Sequence, residues 1–317
     1  MLTFLTFCSS LLLTSSLYAS TYREHCEPIG ENKDYIFSLL PQLHKKTMTQ
    51  RLALISSQLL NSPYAMYVLG DGANSSIDQC PLIRLDKFDC ETFVTSTLAL
   101  ALSKDEKGYE QCLRAIRYAK GEVDFLTRHH FTSIEWNLEN QRQGRVRDIT
   151  RSIVNNQQKA VFKWSKTQID KGGWLKNLSA LRVRLIKNTQ KAAKLDKLKQ
   201  QAKQYKKIYA KLAYIPLTAL FSKNGDPQYN LFAQIPDGAI IEIVRPNWNV
   251  KDKIGTNLDV SHMGFAFRHS GTLFFRNASY THHKVVDEPL IEYLKRAQAN
   301  PTIKGINIQI VLPDARC

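Results

Sequence analysis

An Asp-Cys pair at the head of an apolar helix sets the terms for the rest of this chain. The stretch Leu85 to Leu102, LDKFDCETFVTSTLALAL, reads as a short extended lead followed by a helix. Asp89 is a good N-cap, because its carboxylate accepts from the free N–H groups of a first turn. Cys90 then stands in that turn, where the helix dipole favours an anion and hence a thiolate. Phe93, Val94, Thr97, Leu98 and Ala101 recur at three- and four-residue spacing and predict a buried helix. A nucleophilic thiol needs a rigid support, a lowered pKa and a nearby base. The other reading of Cys90 is a small hydrophobe opening a core helix. A histidine elsewhere in the chain has to decide between them.

The 317 residues, with 43% hydrophobic, suffice for one large core or one domain with an insertion. Residues 1–19 carry no charge, Leu2 to Leu17 is apolar and hydroxyl-rich, and Leu17-Tyr18-Ala19 precedes Ser20. This predicts a signal peptide at 1–19 cleaved after Ala19, and an exported domain at 20–317 in the periplasm or cell envelope. The run is short and broken by Ser and Thr, unlike a membrane anchor of about 20 apolar residues. Export permits disulfides. Cleavage leaves Cys26, Cys80, Cys90, Cys112 and Cys317, an odd set that keeps at least one thiol unpaired. Cys26 with Cys80, or one of these with Cys317, are the pairings considered.

Charge is concentrated. Residues 155–211 hold sixteen Lys or Arg against two Asp, a net +14 of the chain's +16. From Leu178, the positions Leu181, Leu185, Ala192, Leu195, Leu198, Ala202, Tyr205, Ile208 and Leu212 mostly keep helical spacing. They predict a long amphipathic helix within a basic helical insertion at 155–213. Its cationic side is either a solvated face or a contact for an anionic polymer or membrane surface. Nucleic acid does not suit an exported chain that shows no nucleic-acid module.

Elsewhere, Tyr35 to Leu43, Met48 to Leu60 and Glu110 to Arg117 have helical patterns, and Pro63 follows the end of the second. His129 to Trp136 alternates polar and aromatic residues and predicts a strand or extended loop. Its paired histidines lack further metal ligands at zinc spacing, so they read as surface or substrate-wall residues. Ala239 to Val244, Val260 to Phe267, Thr272 to Ala278 and Ile306 to Leu312 read as strands, the middle two joined as a hairpin at His269-Ser270-Gly271. Helices first and an antiparallel meander after them make an α+β fold.

His262 lies on the first strand of that hairpin and is the base that Cys90 lacks. Asn277, on the returning strand, can orient the imidazole because its amide oxygen accepts from a ring N–H; Ser279 is the second choice. FDCETFV (Phe88 to Val94), LTRHHFTSIEW (Leu126 to Trp136), IPDGAIIEIVRPNW (Ile235 to Trp248), VSHMGFAFR (Val260 to Arg268) and IKGINIQ (Ile303 to Gln309) occur in order. Together they resemble the N-acetylmuramoyl-L-alanine amidase-like group of the NlpC-type papain-like cysteine hydrolases. The resemblance implies a papain-like core of N-terminal helices on an antiparallel sheet. It also implies cleavage of the muramoyl–L-alanine amide of peptidoglycan fragments, without metal or cofactor.

On that resemblance Cys90 matches the nucleophile, His262 the base and Asn277 a third position that is often His in relatives. Tyr64, in Ser62-Pro63-Tyr64, matches an aromatic wall. Arg128, Arg245, Asn247 and Trp248 are substrate-binding candidates by position, with ordinary packing as the alternative. Two other functions are weighed: a stem-peptide endopeptidase with the same triad, and a non-catalytic wall- or membrane-binding protein.

Overall fold

The computed structural model describes residues 33–179, 184 and 190–317; the expected signal peptide and Cys26 lie outside the described residues. Four helices come first: α1 (Lys33–Leu43), α2 (Met48–Gln58), α3 (Cys90–Leu102) and α4 (Glu106–Arg117). Thr47 starts α2 with a reciprocal capping box to Gln50, and Asp105 caps α4 through the Gly108 N–H. Arg51 closes the α1–α2 corner by donating to the carbonyls of Leu43, His44 and Lys46. The last carbonyls of a helix lack intrahelical partners.

The strands are β1 (Val146–Asp148), β2 (Lys163–Ile169), β3 (Ile208–Pro216), β4 (Ala239–Asn249), β5 (Asn257–His269), β6 (Thr272–Ser279), β7 (Lys284–Pro289) and β8 (Gly305–Val311). They form an antiparallel sheet in the order β2-β3-β8-β4-β5-β6-β7, with β1 also on β8. The β5–β6 turn runs through Ser270 (φ 48°) and Gly271 (φ 80°), the left-handed pair that a two-residue hairpin requires.

The period-2 pattern sorts side chains to the two faces of the sheet. Ile240, Met263, Phe265, Ala278 and Val285 pack toward α3, whose residues from Thr92 to Ala101 are all buried. Ile241, Ile243, Ala266 and Phe275 pack on the other side, with Leu290 and Leu294 of the helix Leu290–Ala297, hereafter α6. The α+β class therefore holds, with a helix layer carried on an antiparallel sheet.

Three expectations change. The basic segment is not one long helix. It runs through β2, a short helix (Lys171–Lys176), α5 (Lys191–Gln200) and β3. Leu195 and Leu198 do lie on α5, and Leu181 and Leu185 fall outside the described residues. Tyr205 follows a 3-10 turn, and Ile208 and Leu212 are in strand. Over Tyr209 to Leu212 the burial alternates, and β3 pairs with both β2 and β8. Pairing at long range outweighs a helical spacing that several Leu and Ala residues satisfied by coincidence.

Second, His129 to Trp136 is extended only in its lead, where Phe131 holds φ −123° and ψ 116°. It leads into a π-helical turn (Thr132–Trp136) and a helix (Asn137–Arg142). The Glu135 carboxylate accepts from the His130 and Phe131 N–H groups and closes the turn. Third, Cys317 is bridged to Cys112 on α4, not to Cys26 or Cys80. Cys80 is also disulfide-bonded, and Cys90 is the free cysteine among the described residues.

Candidate active site

Asp89 holds an extended backbone (φ −95°, ψ 178°), and its carboxylate accepts from the Thr92 N–H at 2.8 Å. The Thr92 hydroxyl accepts from the Asp89 N–H at 2.9 Å, so the capping box is complete. This fixes Cys90 as the first residue of α3 on a support that is buried behind it. The preceding residue, Phe88, exchanges backbone hydrogen bonds with Pro63 and Ala65, and Tyr64 donates its N–H to His283. Tyr64 is thereby pinned between the start of α3 and the start of β7. Its phenol pKa is raised by burial and then by the proximity of Cys90, and its ring meets Tyr280 edge-on at 5.6 Å.

His262 owes its place to a bulge. Ile243 pairs with His262 and Val244 with Val260, so Ser261 is an extra residue on β5. A bulge twists a strand locally and re-aims the neighbouring side chain. The Met263 backbone N–H, one residue beyond His262, points at the Cys90 sulfur. His262 Nε2 lies 2.9 Å from Asn277 Oδ1. The Asn277 amide nitrogen donates to the Phe275 carbonyl at 3.1 Å and to Glu288 Oε2 at 3.4 Å. Both are acceptors, so they turn the amide oxygen toward His262 and place the proton on Nε2. Nδ1 remains as the basic nitrogen.

Two residues absent from the sequence reading complete this arrangement. Tyr293 of α6 stacks over the His262 ring (6.2 Å, 22°), and burial, then Glu288 and the nearby Cys90, raise its phenol pKa. Glu288, near the end of β7, backs Asn277 and is held by Arg296. The alternation of KVVDEP and the apolar spacing of LIEYLKRA were the available signals: a strand, then an amphipathic helix, directly after the hairpin. Ser279 instead bonds His282 at 3.0 Å, so Asn277 takes the orienting position.

Gly264 makes room for the pair. A Cβ there would lie 2.8 Å from the Asn277 Cβ and 2.5 Å from the Arg276 carbonyl oxygen. Gly264→Ala is expected to push Asn277 off His262 and lower kcat roughly 10²-fold, by analogy with ångström-scale misplacement in other active sites. Steady-state kinetics beside a thermal melt would separate this from simple unfolding.

The electrostatics depart from the expected thiolate. Burial, and then the Asp89 carboxylate, push the Cys90 thiol up to about 12. The Met263 N–H and the helix start act the other way and are outweighed. Burial also lowers the His262 pKa, with the Asn277 bond and Glu288 opposing it. Both shifts favour a neutral thiol and a neutral imidazole at rest, while Cys90 keeps partial solvent access.

The proposed substrate residues separate. Tyr64 borders the nucleophile. Arg128 is engaged within the fold: its guanidinium is nearly buried and forks between Asp71 and Asp78. Asn247 is a tether, with a left-handed backbone (φ 50°), an N–H given to Thr167 and a side-chain oxygen accepting from Asn257. Arg245 sits 3.5 Å from the centre of the Trp248 ring and donates to Thr302, a half-exposed pair at the register break between Val244 and Trp248 on β4. His129 and His130 each bond a backbone carbonyl. Among the described residues no group of three or more His, Cys, Asp or Glu is arranged to hold a metal.

The sequence pattern of the N-acetylmuramoyl-L-alanine amidase-like family matches residues 54–303. The chain belongs to this family. A crystal structure of a Legionella pneumophila protein from the family DUF1460 is similar to it, at 42% identity and TM-score 0.86 over 89% of this chain and 95% of that one. A crystal structure of an N-acetylmuramoyl-L-alanine amidase from Bacteroides uniformis matches at 25% identity and TM-score 0.56, over 83% of this chain and 98% of that one. None of the curated proteins matches. The amidase-like family resemblance read from the separate motifs thus holds, and the matched span contains Cys90, His262 and Asn277 together.

Proposed function

We propose that this protein is an exported cell-wall hydrolase that cleaves the amide between N-acetylmuramic acid and L-alanine in peptidoglycan fragments. The observation that carries this reading is a free cysteine at a helix start beside the backbone of a strand histidine that has its own orienting partner. A free cysteine opens a buried helix, its sulfur lies at the His262–Met263 peptide, and His262 is held by Asn277. Family membership supplies the substrate class. A chain that carries the Cys112–Cys317 disulfide suits an oxidising compartment, in keeping with the expected signal peptide.

Since both partners rest neutral, attack and proton transfer go together. His262 Nδ1 takes the Cys90 proton as the sulfur adds to the lactyl carbonyl of the muramic acid. The imidazolium that forms is stabilised through Nε2–H to Asn277. The Cys90 N–H, outside the ladder of α3, faces the developing oxyanion, where such donors contribute most. The imidazolium then protonates the L-alanine nitrogen, the C–N bond breaks, and a thioester remains. Water, deprotonated by the same imidazole, hydrolyses it and restores the thiol. Tyr64 lies beside Cys90 and Tyr293 over His262, and both wall the site.

The test is product mass. Purified protein incubated with a defined disaccharide-peptide is expected to release the intact stem peptide and a disaccharide with a free lactyl carboxylate. A disaccharide that still carries L-alanine would reassign the enzyme as a stem-peptide endopeptidase. An unchanged substrate under turnover conditions would refute hydrolysis.

A further inference from the structure

The outward face of β2 and β3 carries charge that no carboxylate balances among the described residues. Lys166 sits directly opposite Lys211 in the β2–β3 register. Like charges at directly opposed positions destabilise a strand pair. On the diagonals stand Trp164 and Tyr209, 44% and 60% exposed. Lys211 Nζ lies 4.2 Å from the Trp164 ring centre, and Lys166 Nζ lies 5.0 Å from that of Tyr209. Arg151 adds a further cation, 5.7 Å from Trp164 and 5.8 Å from Phe162. Lysines nearby elsewhere do find acids, as Lys171 with Glu135 and Lys207 with Asp170 show. Among the described residues, Arg151, Lys163, Lys166 and Lys211 pair with no carboxylate.

Edge-strand protection is the simpler reading, because β2 ends the sheet and lysines discourage unwanted strand pairing. It explains the lysines and not the rings. Exposed Trp164 on the edge strand and Tyr209 on its neighbour β3 add apolar surface where such protection removes it. Cations laid along aromatic rings form a mixed surface instead, apolar at its base and positive at its rim.

We propose that this face docks on an anionic lipid bilayer. Charge complementarity selects an anionic partner, and the rings select the bilayer. Trp and Tyr settle at the headgroup boundary, and lysine stems lie along apolar surface while their ammonium groups reach phosphates. A neutral sugar would need an open aromatic face, whereas Trp164 has Lys211 and Arg151 close to its ring. The face is also firmly mounted: on the inner side of β2, Thr167 accepts from the Asn247 N–H of β4. The anionic contact weighed as one alternative for a basic helix is thus placed on a strand surface, and it stands whether or not the chain cleaves muropeptides.

The full chain, mixed with vesicles of phosphatidylglycerol and phosphatidylcholine and sedimented, is expected to bind these and leave pure phosphatidylcholine vesicles alone. Binding should fall steeply in 1 M salt, where the Debye length shrinks to about 3 Å. Lys166→Glu with Lys211→Glu should weaken it by about tenfold or more. Trp164→Ala with Tyr209→Ala should weaken it at all salt concentrations. Thermal melts of each variant guard against misfolding. Equal affinity for both vesicle types, binding to purified wall sacculi without vesicle binding, or an unaffected Lys166→Glu/Lys211→Glu variant would each overturn the proposal.

Discussion

Cys90→Ala is expected to lower kcat on a muropeptide by at least about a thousandfold while leaving the melting temperature nearly unchanged. Nucleophile removal in enzymes that work through a covalent intermediate has effects of this size or larger. The fold should tolerate it, since Cys90 is partly exposed and Asp89, not Cys90, holds the start of α3. Asn277→Ala should cost less, because it removes the orienter and leaves nucleophile and base in place. The protonation states add a second check. His262 acts as a base only when neutral, and burial lowers its pKa. The acid limb of kcat/KM therefore falls below the usual histidine value of about 6.5. Alkylation of Cys90 by iodoacetamide in the free enzyme should rise with pH through neutrality, because the resting thiol is protonated. Alkylation as fast at pH 6 as at pH 8 would mean a resting thiolate–imidazolium pair and would remove the concerted proton transfer.

The local chemistry of this site was legible because it rests on short-range rules. The N-cap at Asp89, the helix behind Cys90, the hairpin at Ser270-Gly271 and the alternation that puts His262 and Asn277 on neighbouring strands all follow from a few adjacent residues. The motif order then assigned the family. What was not legible depends on distant contacts. The Ser261 bulge exists only in the pairing of β4 with β5, and Tyr293 reaches His262 only because α6 packs back on the sheet. The thiol pKa departs from the helix-start expectation for a related reason. The helix start is visible in sequence, but the burial that outweighs it is a property of the whole core. The basic segment failed differently. Ala, Leu and Lys satisfy a helical spacing easily, and the strand partners that turn Ile208 to Pro216 into β3 lie on β2 and β8, far away in the chain.

Arg128 is the residue whose role changes most, and replacing it should cost stability, not substrate affinity. Its guanidinium donates from Nε and Nη2 to Asp71 and from Nη1 to Asp78 at 2.7 Å, and both carboxylates are buried. Arg184 also binds Asp78, and the Tyr118 hydroxyl donates to Asp71 at 2.6 Å. The network clamps the loop that carries Gly70, Asp71 and Asp78 to the residues after α4. That loop is close-packed, since a Cβ at Gly70 would lie 2.4 Å from the Cys80 carbonyl oxygen. Arg128→Ala strands two buried carboxylates with half their partners, a change that typically costs about 3–5 kcal/mol. At roughly 2–4 °C per kcal/mol for a chain of this size, the melting temperature should fall by about 10 °C. Arg128→Lys should recover only part of this, because a single ammonium cannot fork to two carboxylates. A substrate ligand behaves in the opposite way: KM rises and the melt stays put. A raised KM with an unchanged melting temperature would return Arg128 to the substrate cleft. A lowered melting temperature with a normal KM at low temperature assigns it to the scaffold behind Cys90.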